Sequence, residues 1–147
     1  MQSKLVGGGN GSPRMWVIVL EPGEEAKESL LAFAAQEQIG GASFVGLGAF
    51  ERAVVAYFDW ERKAGQPIPI RQQVEVLSLV GDVVRGEDGA PDLHAHTVLG
   101  LSDGTTRGGH LMEGHVRPTL EVTLMETPAH LVRRMHPELG SALIEIA

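Results

Sequence analysis

Cysteine is absent from this 147-residue chain. Its absence excludes disulfides, thiolate-bound metals and cysteine nucleophiles, so any metal site must be built from His, Asp or Glu. It also accords with a reducing compartment. Long apolar runs are missing too. None approaches the roughly 20 residues of a membrane-spanning helix, and Gly7-Gly8-Gly9 stands where the apolar centre of a secretory signal would lie. A soluble, cytoplasmic protein is the expectation. Positive charge is scarce: 12 Lys and Arg against 19 Asp and Glu leave a net charge of −7. The basic residues are scattered, the densest group being the pair Arg133-Arg134, and such a chain opposes direct binding to a phosphate backbone. Internal repeats, low-complexity blocks and a second domain boundary are likewise lacking.

What is there reads as one domain, long enough to bury a core without staples. Residues 1–13 form a glycine-rich, flexible lead ending in Pro13, and residues 14–147 form the domain. Met15 to Leu20 is a short apolar strand carrying the β-branched Val17, Ile18 and Val19, closed by Glu21-Pro22-Gly23. A helix follows. Glu24, Glu25 and Glu28 suit its N-terminus, Ala26, Leu30, Phe33 and Ala34 share one stripe, and Gly40-Gly41 stops it.

From Ser43 onward the pattern is that of strands. Ala42 to Phe50 and Arg52 to Phe58 are two runs with a bend near Gly46 and Gly48. Asp59 to Pro69 reads as a polar connection. Gln73 to Val84 is a longer stretch in which Val74, Val76 and Ser78 alternate with Glu75, Leu77 and Leu79. Pro118 to Met125 places Leu120, Val122 and Leu124 on one face. His130, His136, Arg133 and Arg134 read as a solvated helical turn. The fold class is therefore α+β: a predominantly antiparallel sheet, arranged as a meander, flanked by one main helix and short helices.

The segment Leu93 to Leu111, LHAHTVLGLSDGTTRGGHL, carries the chemistry. Strand side chains alternate, so His94 and His96 point to one face and Ala95 to the other. Ser102-Asp103-Gly104 is the turn signal inside the segment, with Gly104 suited to a left-handed closing residue. With that three-residue loop, Leu101 faces Thr105 and His96 falls directly across from His110. A two-residue loop at Asp103-Gly104 would instead set His110 against Thr97, on the wrong face. Three imidazoles on one surface can hold a divalent metal and leave a position open for water or substrate. Zinc, nickel and iron all suit such a set.

The blocks Glu21-Pro22-Gly23-Glu24, Gly46-Leu47-Gly48-Ala49, Val74 to Gly81, Leu93-His94-Ala95-His96, Asp103-Gly104, Gly108-Gly109-His110-Leu111 and Pro118-Thr119-Leu120-Glu121 together resemble the plants-and-prokaryotes conserved domain, the PPC or PCC domain. The resemblance covers about Arg14 to Thr127. It implies an antiparallel sheet flanked by helices and a homotrimer. Plant members carry a basic AT-hook with an Arg-Gly-Arg-Pro core, which this chain lacks. Their Gly-Arg-Phe-Glu-Ile-Leu contact patch corresponds here to Gln72 to Leu77, of which Glu75 and Leu77 are retained as an interaction patch. The histidine pattern is also similar, more distantly, to α-acetolactate decarboxylase, whose metal needs a nearby carboxylate and arginine. Glu113, Glu121 and Arg107 are the nearest candidates, the two glutamates as catalytic proton carriers.

Plainer roles stand beside these. The histidines could bond one another or a neighbouring subunit. Gly108-Gly109 could mark a bulge or a close backbone approach, Glu75 and Glu121 could face solvent, and His115 has the wrong parity to join His110. The expectation is a homotrimeric module binding a divalent metal or small ligand at His94, His96 and His110. A protein-interaction module associated with DNA or transcription is the first alternative. A metal-dependent lyase or hydrolase acting on a small hydroxy- or keto-acid is the second.

Overall fold

A computed structural model describes residues 1–9, 11–127 and 130–146. The elements in chain order are β1 (Gln2–Gly9), β2 (Ser12–Leu20), α1 (Ala26–Gln36), β3 (Gly41–Asp59), β4 (Ala64–Ile70), β5 (Val74–Arg85), β6 (Pro91–Gly100), β7 (Thr106–Glu126), β8 (Val132–His136) and β9 (Ser141–Glu145). The class is α+β, and every strand pairing but one is antiparallel.

Helix α1 forms where its stripe predicts. Glu25 caps it, its carboxylate accepting from the Glu28 backbone N–H at 2.8 Å, which satisfies a donor that the first turn leaves free. Ala26, Leu30, Phe33 and Ala34 are all buried, and Trp16 meets Phe33 edge-on at 5.3 Å. Among the described residues α1 is the only helix, and it is too short to cross a membrane. The short flanking helices of the sequence reading are thus not found there.

The sheet closes on itself around β7. That strand pairs with β2 and β3 and, through its first residues, with β6; β6 in turn pairs with β5, and β5 with β3. The resulting ring of β3, β5, β6 and β7 is not a simple meander, because β7 is long enough to serve three neighbours. Val55, Leu79, Val83, Ala95, Leu99 and Leu111 are among the apolar residues packed in the core.

Five readings change. Residues 2–9, expected as a flexible lead, pair with β2 from Gln2↔Val19 to Gly9↔Ser12, because β2 presents an open edge that the lead can satisfy. Gly8 permits this at φ +87, where an added Cβ would stand 2.1 Å from the Pro13 carbonyl. The polar connection after Asp59 contains β4, an edge strand on β3, where Pro67 and Pro69 are tolerated because one side of the strand has no ladder to complete. The two runs of 42–58 are a single strand, β3, with register shifts around Gly48 and Phe50. The expected helical turn near Arg133 is the β8–β9 hairpin. In β5 a shift between Val76 and Ser78 breaks the alternation, burying Leu79 while Leu77 stays exposed.

Candidate metal centre

The histidine hairpin folds in the register its loop chemistry demands. Leu101 N–H donates to the Thr105 carbonyl at 2.9 Å and Gly104 N–H to the Leu101 carbonyl at 3.0 Å, with Gly104 at φ +83. Asp103 fixes the loop by accepting from the Thr105 N–H at 2.9 Å and from its hydroxyl at 2.7 Å. The ladder then runs Gly100↔Thr106, Val98↔Gly108 and His96↔His110.

Alternation along β6 puts Leu93, Ala95, Thr97 and Leu99 inside and His94, His96 and Val98 outside. His110, opposite His96, shares the outer face. Each of the three histidines offers a ring nitrogen, and these atoms lie within 4.8 Å of one another. Nε2 of His94 is 3.1 Å from Nε2 of His96. Two nitrogens bound to one tetrahedral ion at about 2.0–2.1 Å stand about 3.3 Å apart, so this pair is already at ligand spacing.

The site is electrostatically prepared for a cation's ligands. Burial pushes the His110 imidazolium down to about 4, helped by His94, His96, Lys27 and Arg133. His94 is also lowered, first by burial and then by Arg133, against the pull of Asp82 and Asp92. Both rings are therefore neutral near pH 7, the form that binds metal.

Arg133 is the residue that sequence reasoning missed. Its side chain is only 5% exposed, and it ion-pairs with Asp82 on β5 and, at 3.1 Å, with Asp92 on β6. Asp82 stands opposite His94 in the β5–β6 ladder. A signal existed: Asp82 interrupts the apolar run Leu79 to Val84, and an acid in such a strand calls for a buried partner. Thr97, facing inward, adds a second tie by donating its hydroxyl to the Ser78 carbonyl at 2.9 Å.

The other candidates lie elsewhere. Glu113 faces Val54 and is engaged by His115, to which Arg52 also reaches at 3.1 Å. His115 pairs with Arg52 rather than joining the cluster. Glu121 is exposed on the far part of β7, between Val19 and Leu47. Arg107 stands opposite Leu99, hence on the face away from His110. Gly108 and Gly109 do mark close backbone approaches: an added Cβ would meet the Thr97 carbonyl oxygen at 2.7 Å and the Ala56 carbonyl oxygen at 2.5 Å, respectively. Glu75 and Leu77 are both exposed and help line a depression of about 450 Å³ with Leu47 and Pro118.

With this geometry in hand, comparison with known proteins identifies the lineage. Residues 8–128 match the model of the Plants and Prokaryotes Conserved (PCC) domain. The chain belongs to that family. Its fold is shared with a plant- and prokaryote-conserved protein of Pyrococcus horikoshii, 33% identical, with a TM-score of 0.86 over 92% of this PCC chain and 94% of that one. A Ralstonia eutropha protein, provisionally named as DNA-binding, is 30% identical with a TM-score of 0.83, the match covering 90% of this chain and 91% of that one. A protein of Archaeoglobus fulgidus described as metal-containing is 26% identical, with a TM-score of 0.83 over 97% of each chain. A Staphylococcus aureus protein described as similar to α-acetolactate decarboxylase shares the fold alone, at 14% identity and a TM-score of 0.54 over 76% of this PCC chain and 51% of its own. Curated proteins offer no match.

Proposed function

We propose that this PCC domain is a cytoplasmic, homotrimeric module that binds a divalent metal, and through it a small ligand, at His94, His96 and His110. The observation that carries the reading is the convergence of three ring nitrogens within 4.8 Å on one sheet face. Support comes from the neutral state of His94 and His110 and from the metal-containing relative of Archaeoglobus. Three imidazoles leave a coordination position free, and zinc is a good fit to such a set. The trimer is supported by family membership and by Val45, Leu47, Leu77 and Met125, which the single chain leaves about half exposed. A metal-dependent lyase or hydrolase would use the same open position.

Metal analysis of untagged protein tests the site. One ion per chain is expected, and His94→Ala and His110→Ala should each lose it. Protein that stays metal-free after supplementation with zinc, nickel and iron(II) would sink the reading. Sedimentation should return three times the chain mass.

The provisional name of the Ralstonia relative favours a second reading, an interaction module at DNA. A net charge of −7 weighs against direct contact with phosphate. Binding that steeply weakens with salt in a shift assay would restore it.

A further inference from the structure

Beside the histidines lies a depression of about 290 Å³, lined by Ser78, Val80, His96, Val98, Gly108 and Gly109 among others. It adjoins the cluster directly, because His96 belongs to both. Gly108, opposite Val98 on β6, forms part of its floor, where the backbone approaches that of Thr97 closely. Two of its walls are apolar: Val80, opposite His96 on β5, is 49% exposed, and Val98 is 41% exposed. The volume lies near the lower end of small-ligand sites.

Charge decides what such a site would take. A divalent ion on three neutral imidazoles keeps its full double charge, and among the described residues no carboxylate belongs to the cluster. The nearest acids in the ladder, Asp82 and Asp92, are already held by Arg133. An uncompensated cation beside a shallow apolar wall calls for an anion with a short hydrocarbon tail.

Resting on the metal reading above, we infer that the depression is the tail site of a small aliphatic monocarboxylate, whose carboxylate takes the open metal position while its branched tail lies against Val80 and Val98. No bond in the ligand is broken. A carboxylate oxygen would replace a water on a metal held by His94, His96 and His110.

The full-length protein loaded with Co2+ provides the test, since its visible absorption changes when the fourth ligand is exchanged. Isovalerate should perturb the spectrum at a concentration about tenfold lower than acetate, the contribution expected from partly burying the added carbons. Isovaleramide, of the same shape without the charge, should be weaker than isovalerate by a similar factor. Val80→Ser and Val98→Ser, at half-exposed positions, should each reduce the preference for isovalerate over acetate. Equal responses to isovalerate and acetate would overturn the tail site, and equal responses to isovalerate and isovaleramide would overturn the charge argument. A preference that survives both serine variants would move the tail elsewhere and refute this placement. In all of these outcomes the metal reading stands. If Co2+ itself fails to bind, that reading fails first and the ligand site falls with it.

Discussion

Arg133 is ion-paired with Asp82, the residue that stands opposite His94 across the β5–β6 ladder. The guanidinium also holds Asp92, so one nearly buried cation from β8 joins the two strands on the face that carries the histidines. Removing one member of a buried pair leaves the others desolvated without a counter-charge.

Arg133→Met is therefore expected to destabilise the fold by about 1–3 kcal/mol in urea denaturation. The figure lies below that of a fully buried pair because the side chains of Asp82 and Asp92 are 32% and 43% exposed. Zinc affinity should rise, since the substitution removes a cation whose field disfavours positive charge at His94 and His110 and releases Asp82 and Asp92 beside them. Unchanged affinity in a competition titration would show that Arg133 only braces the strands.

Metal binding to the folded state alone raises its stability. Zinc at a hundredfold excess over Kd should add about 2.7 kcal/mol, which raises Tm by about 5–10 °C for a domain of this size. A chelator should reverse the shift, and His94→Ala should show none. A shift of equal size in His94→Ala would mean that zinc binds elsewhere.

In the metal-free protein the His110 ring should titrate near pH 4 rather than 6.5, readable from histidine ring resonances by NMR. The sign of the stability effect follows. Between those values the unfolded chain takes up a proton that the folded chain refuses, so stability is lost as pH falls from 6.5 to about 4. His110→Asn should make that loss shallower. A His110 midpoint at or above 6.5 would contradict the burial assigned to it.

Gly109→Ala would push a methyl group to 2.5 Å from the Ala56 carbonyl oxygen. The backbone must shift where β7 lies on β3, beside His110, at an expected cost of about 1–3 kcal/mol. Metal affinity should fall with it, because His110 itself faces Ala56. Wild-type stability in a denaturation experiment would disprove so tight an approach.

The hairpin was legible in the sequence because its register depends on local chemistry: Asp103 and Gly104 select the loop, and the loop places His96 against His110. Helix α1 was legible for a similar reason, its stripe and its cap both lying within a few turns. What stayed hidden depended on partners distant in the chain. The lead becomes β1 only because β2 offers an edge, and Pro67 and Pro69 are admissible only because β4 is itself an edge. Nothing local to Arg133 announces its burial, since its carboxylates come from β5 and β6. The shift between Val76 and Ser78 likewise answers to the strands beside β5, and it turns Leu79 inward while Leu77 stays exposed.

The two glycines before His110 have a consequence for how this site can diverge. At both positions a carbonyl oxygen of a neighbouring strand already occupies the space that a first side-chain carbon would need. Descendants of this sequence can therefore hardly reshape the depression from β7. Val80 and Val98 carry no such restriction, so new ligand preferences can be acquired by single substitutions on β5 and β6 while the hairpin that presents the histidines stays as it is.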